Sequence, residues 1–104
     1  MSREKGDKLE ERVAIDLGIN KTTNSGAKWD NADLTNREYI IECKVKGADT
    51  FKPCGTELKK LIAQAVKHDK EWIYVQQVND RTYTVIDYDF FLQLWTNQKT
   101  DAHP

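Results

Sequence analysis

The segment from Tyr39 to Lys46, YIIECKVK, constrains the fold of this chain more than any other stretch. Apolar, β-branched and aromatic residues dominate it, which is the composition of a β-strand. Successive side chains of a strand point to opposite faces, so one face of this strand is apolar throughout. The other face carries Ile40 and then Glu42, Lys44 and Lys46. The segment therefore predicts a sheet with an apolar interior and a charged patch on its second face.

Two segments on either side of this strand have the apolar spacing of helices. The first covers residues 5–17, and Gly18 is placed to end it. The second begins at Thr56, its predicted N-cap, carries Glu57 beside the positive end of the helix dipole, and ends near His68. Both are predicted to cover the sheet with their apolar sides.

Extended segments complete the predicted sheet. They are a short strand over residues 19–23, a hairpin whose first strand contains Leu34, and a second hairpin over residues 71–88 with its turn at Asn79 and Asp80. With a short final helix, the element order is αβββαββα. This order predicts an α/β fold, a central mixed β-sheet flanked by helices.

The length of 104 residues corresponds to one domain, which we assign to residues 1–96. The final helix, residues 87–95, is predicted to bury aromatic side chains, and residues 97–104 to form a disordered tail. No apolar run is long enough to span a membrane, and the charged first twelve residues contain no signal-peptide core. We expect a cytoplasmic protein, in the host cytoplasm if the chain is viral.

The cysteines and the charge distribution narrow the function classes. Cys43 and Cys54 form no CxxC motif, so neither a zinc site nor a disulfide framework is predicted. The net charge is -1, but the segment from Lys44 to Lys70 contains seven lysines and three acidic residues. This segment predicts a local basic surface, with Lys46 and Lys52 as candidate phosphate contacts.

Three charged residues are predicted to converge beside the long strand. Glu42 and Lys44 share a face, and hairpin geometry brings Asp33, at the head of the preceding strand, next to them. Two carboxylates at close range raise the pKa of one of them unless a cation lies between. A hard divalent ion, Mg²⁺ with Mn²⁺ as a substitute, resolves this repulsion. A lysine beside it can orient or help deprotonate a water, or stabilise charge on a phosphate.

The segment SGAKWDNAD, followed by a hairpin and then YIIECK, resembles the PD-(D/E)XK nuclease superfamily. It is most similar to the archaeal-type Holliday junction resolvases and to related small phage nucleases. In this pattern an acidic residue opens one strand, and Glu-x-Lys follows an apolar run on the next. Asp33, Glu42 and Lys44 match those positions, with Asp30 as an alternative first carboxylate. The resemblance implies a restriction-endonuclease-like arrangement of the predicted sheet and helices.

The resemblance also implies residues around this core. A glutamate of the first helix would complete the metal shell of Asp33 and Glu42, and Glu10 is preferred to Glu11 because its spacing to the apolar stripe turns it towards the sheet. By the same resemblance, a loop serine and a basic second helix contact the DNA. The matching residues are Ser25, Lys60 and Gln64.

The function implied is metal-dependent hydrolysis of phosphodiester bonds in branched DNA, a reaction of DNA recombination. The resemblance implies a homodimer in which each protomer cuts one strand. Phe90, Phe91 and Leu94 of the last helix either supply the dimer interface or complete the core. Two alternatives remain, a phage-type DNA nuclease that does not act on junctions and a catalytically silent DNA-binding module of the same fold.

Overall fold

A computed structural model describes residues 3–20, 33–47 and 55–101 of the chain. In these segments, three helices and four strands follow one another in the order αββαββα. They are α1 (Arg3–Leu17), β1 (Leu34–Thr35), β2 (Tyr39–Lys46), α2 (Gly55–His68), β3 (Glu71–Val78), β4 (Arg81–Ile86) and α3 (Tyr88–Asp101). None of the described helices is both long enough and apolar enough to cross a membrane.

The four described strands form one sheet in the order β1-β2-β3-β4. β1 and β2 pair antiparallel, β2 and β3 parallel, and β3 and β4 antiparallel, so the sheet is mixed. α2 connects the parallel strands β2 and β3, as a crossover helix does. The predicted α/β fold is confirmed. Of the strand predicted at residues 19–23, Ile19 and Asn20 lie in no strand, and residues 21–23 lie outside the described residues.

Helices cover both faces of the sheet. The buried cluster on the α1 face consists of Leu9, Val13, Ile19, Leu34, Ile41, Cys43 and Val75. The buried cluster on the α2 face consists of Ile40, Leu61, Ala65 and Tyr74. Alternation along β2 places Glu42 and Lys44 on the α2 face together with Ile40, as predicted. That face is partly enclosed by α2, so the side chains of Lys44 and Glu42 are only 35% and 22% exposed.

α1 ends at Gly18 in a Schellman motif. The backbone N–H of Ile19 donates to the carbonyl of Ala14 (3.0 Å), and that of Gly18 donates to the carbonyl of Ile15 (3.3 Å). Gly18 has a φ of 69°, the left-handed conformation that this motif requires and that glycine adopts without a steric cost. Ile19, next in the chain, is buried in the α1 cluster. The predicted end of the helix is confirmed.

α3 is longer than predicted. It is capped by Asp87, whose Oδ2 accepts hydrogen bonds from the backbone N–H groups of Asp89 (3.0 Å) and Phe90 (3.3 Å). The helix continues to Asp101, so residues 97–101 are helical where a disordered tail was predicted. No proline or glycine occurs between residues 88 and 101, so the local sequence contains no signal that ends the helix earlier.

Candidate active site

The β1–β2 hairpin brings Asp33 to the middle of β2. Asn36 fixes the turn of this hairpin. Its Oδ1 accepts hydrogen bonds from the backbone N–H groups of Glu38 (2.8 Å) and Tyr39 (2.7 Å). In this register, Asp33 Oδ2 accepts a hydrogen bond of 2.8 Å from the backbone N–H of Cys43. Cys43 separates Glu42 from Lys44 along the chain, so Asp33 lies beside both, as the hairpin geometry predicted.

Glu42 is strongly perturbed by this arrangement. Burial raises its pKa from 4.5 to about 7, and the negative charge of Asp33 is the next largest cause. The carboxylates of Glu57 and Glu10 raise this pKa further, whereas the ammonium of Lys44 lowers it. The predicted repulsion between Asp33 and Glu42 is therefore present in the folded chain.

Lys44 is paired more closely with Glu57 than with Glu42. Its Nζ lies 3.0 Å from Glu57 Oε2 and 3.8 Å from Glu42 Oε2. Burial lowers the pKa of Lys44, but the hydrogen bond and charge of Glu57, with the charges of Glu42 and Asp33, outweigh it and raise this pKa overall. Lys44 is thus a charged ammonium at neutral pH. The sequence assigned Glu57 an interaction with the helix dipole only.

Tyr74 and Gln76 of β3 complete the α2 face of the site, and neither was predicted to be there. The parallel register aligns Glu42 with Tyr74 and Lys44 with Gln76. Gln76 Nε2 donates to Tyr74 Oη (2.8 Å), and Tyr74 Oη donates to Glu57 Oε1 (3.4 Å). A glutamine within the apolar strand EWIYVQQV was the available signal, because a buried amide requires a polar partner.

Glu10 lies near the site but does not close a metal shell. Its charge contributes to the raised pKa of Glu42, as the last of five causes, and to the raised pKa of the Cys43 thiol, after burial and Asp33. Glu11 is exposed on the outer side of α1, whereas Glu10 is half-buried. Of the two glutamates considered, Glu10 is therefore the one placed towards the site.

The donor set of the described residues fits Mg²⁺ through two carboxylates. Across residues 3–20, 33–47 and 55–101, no three His, Cys, Asp or Glu side chains come together closely enough to hold a metal ion. The predicted three-carboxylate shell of Glu10, Asp33 and Glu42 is therefore not assembled in this structure. Mg²⁺ is usually held by one or two carboxylates, with water and substrate phosphates as the remaining ligands. Asp33 and Glu42 fit that requirement.

A small pocket opens over the charged face of β2. Lys60 and Gln64 of α2 line it together with Glu42, Lys44 and Glu57. Its volume of about 160 Å³ has room for several waters at roughly 30 Å³ each. The structure thus brings the two predicted DNA-contacting residues of α2 to the same pocket as the Glu-x-Lys pair.

The remaining predicted site residues lie further along the chain. Lys46 is half-buried at the end of β2, on the same face as Lys44. Ser25, Lys52 and the alternative carboxylate Asp30 lie outside the described residues. Their proposed roles stay predictions.

Comparison with known proteins supports the fold. No protein-family model matches the chain. No curated protein sequence matches it. Among solved structures, the chain is similar to Hjc, a Holliday junction resolvase from the archaeal hyperthermophile Archaeoglobus fulgidus. The TM-score is 0.57 at 14% sequence identity, over 76% of this chain and 73% of that chain. At this identity the likeness shows a shared fold and assigns no individual residue.

Proposed function

We propose that this protein is a metal-dependent DNA endonuclease that hydrolyses phosphodiester bonds of branched DNA. The observation that carries the proposal is the convergence of three charged residues beside β2. Asp33 Oδ2 accepts from the backbone N–H between Glu42 and Lys44, and Lys44 Nζ lies 3.8 Å from Glu42 Oε2. The fold supports it, because Hjc, which shares this fold, is a Holliday junction resolvase. The proposed reaction belongs to DNA recombination.

The charged groups have separable roles in this proposal. Asp33 and Glu42 would hold Mg²⁺, or Mn²⁺ in its place, and Glu10 would assist them from α1. A bound ion of this kind polarises a phosphate and lowers the pKa of a coordinated water. Lys44 is an ammonium with acidic neighbours, so it is suited to stabilising negative charge on the phosphate or orienting the attacking water. Its charged state argues against a role as the general base.

DNA would approach over the α2 face. Lys60 and Gln64 line the pocket beside the Glu-x-Lys pair, and Lys46 lies at the end of the same strand. These residues would contact phosphates flanking the cleaved bond, which fixes the register of the DNA without reading its sequence. Lys52 and Ser25 are proposed as further DNA contacts from the loops.

A homodimer is proposed for the action on branched DNA, with α3 as the interface. Of the residues considered from the sequence, Phe90 is 7% exposed and packs against Tyr39, with ring centroids 5.9 Å apart. Phe91 and Leu94 are exposed, as is Trp95. The core thus accounts for Phe90, and the other apolar residues of α3 remain available for a second copy.

Cleavage of a labelled four-way junction and of its linear duplex, each with Mg²⁺ or with EDTA, tests the proposal. We expect junction cleavage only with the metal, and a loss of about 100-fold or more in Asp33→Ala, Glu42→Ala and Lys44→Ala. Glu38→Ala removes an exposed carboxylate from the turn of the same hairpin and is the matched control.

The outcomes separate the candidate functions. Equal cleavage of junction and duplex would replace the resolvase by a nuclease without junction selectivity. Binding that is indifferent to EDTA, with no cleavage of either DNA, would replace the enzyme by a DNA-binding module. Wild-type cleavage by purified Glu42→Ala would exclude the proposed site.

A further inference from the structure

Glu57 joins the proposed catalytic lysine to a buried polar pair. Glu57 Oε2 accepts from Lys44 Nζ at 3.0 Å, and Glu57 Oε1 accepts from Tyr74 Oη at 3.4 Å. Tyr74 Oη in turn accepts from Gln76 Nε2 at 2.8 Å. One carboxylate therefore connects a partly exposed ammonium with a hydroxyl group inside the protein.

Tyr74 and Gln76 are an unfavourable way to fill a protein core, because both bury polar groups. Tyr74 and Gln76 are both 0% exposed. A buried polar group left without a partner is destabilising, whereas an apolar side chain of similar size would fill the same space without needing a partner. These hydrogen bonds offset the cost and place the hydroxyl of Tyr74 against Glu57. The pair therefore holds the carboxylate through Oε1, and Lys44 contacts the other oxygen, Oε2.

The two hydrogen bonds of this network are both donated towards the carboxylate of Glu57. The Gln76 amide donates to the Tyr74 oxygen, the Tyr74 hydroxyl donates to Glu57, and an ionised carboxylate only accepts. Glu57 thus has one oxygen towards the interior and one towards Lys44. This arrangement limits the rotation of the carboxylate and hence the positions open to the ammonium.

Lys44 needs such a partner because its side chain is long and flexible. A lysine side chain loses rotamer entropy when its ammonium is held in one place. Glu42 Oε2, at 3.8 Å from Lys44 Nζ, is beyond the distance of a hydrogen bond, whereas Glu57 Oε2 is within it. Glu57 is therefore the contact that localises the ammonium.

Resting on the nuclease function proposed above, we propose that Glu57 is a positioning residue. Supported by Tyr74 and Gln76, it holds Lys44 Nζ beside the Asp33–Glu42 pair, where the phosphate to be cleaved would arrive. It acts through Lys44 and does not itself contact the reacting atoms. Its role is thus distinct from that of the carboxylates proposed to hold the metal.

Two conservative variants test this role. Glu57→Gln keeps the shape of the side chain and removes its charge, and Tyr74→Phe removes only the supporting hydroxyl. Glu38→Gln, an exposed glutamate in the hairpin turn, is the charge-matched control. The measurements are the single-turnover cleavage rate at saturating junction DNA with Mg²⁺, the Kd for that DNA in EDTA, and the NMR signal of the Lys44 ammonium without DNA.

We expect the cleavage rate of Glu57→Gln to fall about 10- to 100-fold, by analogy with the loss of residues that orient the ligands of a metal ion. Its Kd should stay the same or decrease, because a negative charge is removed near the DNA. Tyr74→Phe should show a smaller fall in rate. The Lys44 ammonium signal should shift and exchange faster with water in Glu57→Gln, and Glu38→Gln should match the wild type throughout.

The failures of the two proposals are distinguishable. A wild-type rate and an unchanged Lys44 signal in Glu57→Gln, while the wild type cleaves DNA, would overturn the positioning role alone. A fall confined to DNA affinity would also overturn it, since a positioning residue acts on the rate. A wild-type protein that cleaves no DNA would overturn the proposed function and, with it, the catalytic role of Glu57.

Discussion

The position of Glu42 costs the folded protein stability once the carboxyl is ionised. Burial, followed by the charge of Asp33, raises its pKa from 4.5 to about 7. Between about pH 4.5 and 7, Glu42 is therefore protonated in the folded protein and ionised in the unfolded chain. The stability associated with the neutral form is complete below pH 4.5 and is lost as the pH rises through 7. At pH 8 the ionised Glu42 costs about 3 kcal/mol.

Glu42→Gln should therefore stabilise the protein at high pH. In EDTA at pH 8, we expect its free energy of unfolding to exceed that of the wild type by about 1–3 kcal/mol, because the amide carries no charge to desolvate. At pH 4.5 and below the difference should shrink towards zero, since Glu42 is then neutral in the folded state. Urea unfolding at both pH values measures it. An equal gain at both would contradict the electrostatic explanation, and Glu38→Gln should show no gain at either.

The predictable part of the site follows from local rules. The proximity of Asp33, Glu42 and Lys44 was predicted from alternation within one strand and closure of one short hairpin, both of which act over about ten residues. Glu57 was not found, because its contact with Lys44 depends on where the crossover helix is placed over the sheet. Tyr74 was missed for a related reason, since the register of a parallel pair is set by the whole crossover unit and not by a turn.

At the scale of the element, α3 depends on its N-terminal cap. Asp87 Oδ2 accepts from two backbone N–H groups of the first turn, and the backbone N–H of Phe91 donates to the Asp87 carbonyl at 2.9 Å. The helix packs through Phe90 and exposes most of its other residues, so little tertiary packing compensates for a weak start. The cap is thus a larger part of the stability of α3 than it would be for a buried helix.

Asp87→Ala should lower the free energy of unfolding by about 1 kcal/mol, the usual cost of losing an N-cap side chain. Asp89→Ala is the matched control, because it removes the same charge from the first turn and leaves the capping carboxylate in place. Its cost should be a few tenths of a kcal/mol, the contribution of a charge near the helix dipole. Chemical denaturation of both variants measures the difference. Equal losses would show that the charge matters and the hydrogen bonds do not.

The ends of the helices, like the site, were predictable only where a local sequence signal determines them. The end of α1 was predictable because Gly18 supplies a left-handed residue that the Schellman motif requires. α2 ends in the same motif with Asp69, which has a φ of 58° although it is not glycine. The backbone N–H of Lys70 donates to the carbonyl of Ala65 there, at 2.8 Å. The end of α3 was placed too early, because polarity alone does not stop a helix.

At the scale of the whole molecule, the two faces of the sheet differ in what lies beneath their helices. The α1 face is a continuous apolar cluster, and the α2 face combines a smaller cluster with the charged pocket. The order of elements from β1 to α3 was predictable because a helix between two strands favours a parallel crossover and tight turns favour hairpins. The partner of α3 was not predictable, because exposed apolar residues do not specify what covers them.

The proposed dimer makes a prediction for α3. Tyr88, Phe91 and Trp95 form an aromatic row along this helix, with ring centroids 6.3 and 6.1 Å apart, and Trp95 is 52% exposed. Exposed aromatic residues of this kind contribute most of the binding free energy in many interfaces, and losing a central tryptophan costs about 2 kcal/mol or more. Trp95→Lys should therefore weaken dimerisation by about 30-fold or more.

Sedimentation velocity over a concentration series measures that change, with Gln93→Lys as the control. Gln93 is exposed on the same helix, away from the aromatic row, so the added lysine tests charge alone. We expect the wild type and Gln93→Lys to sediment as dimers, and Trp95→Lys to shift to monomers and to nick the junction at one strand per encounter. A wild type that stays monomeric at all concentrations, or a dimeric Trp95→Lys, would exclude α3 as the interface. Since Trp95 lies on α3 and the proposed site on β2, Trp95→Lys should retain cleavage of single strands even where paired cutting is lost.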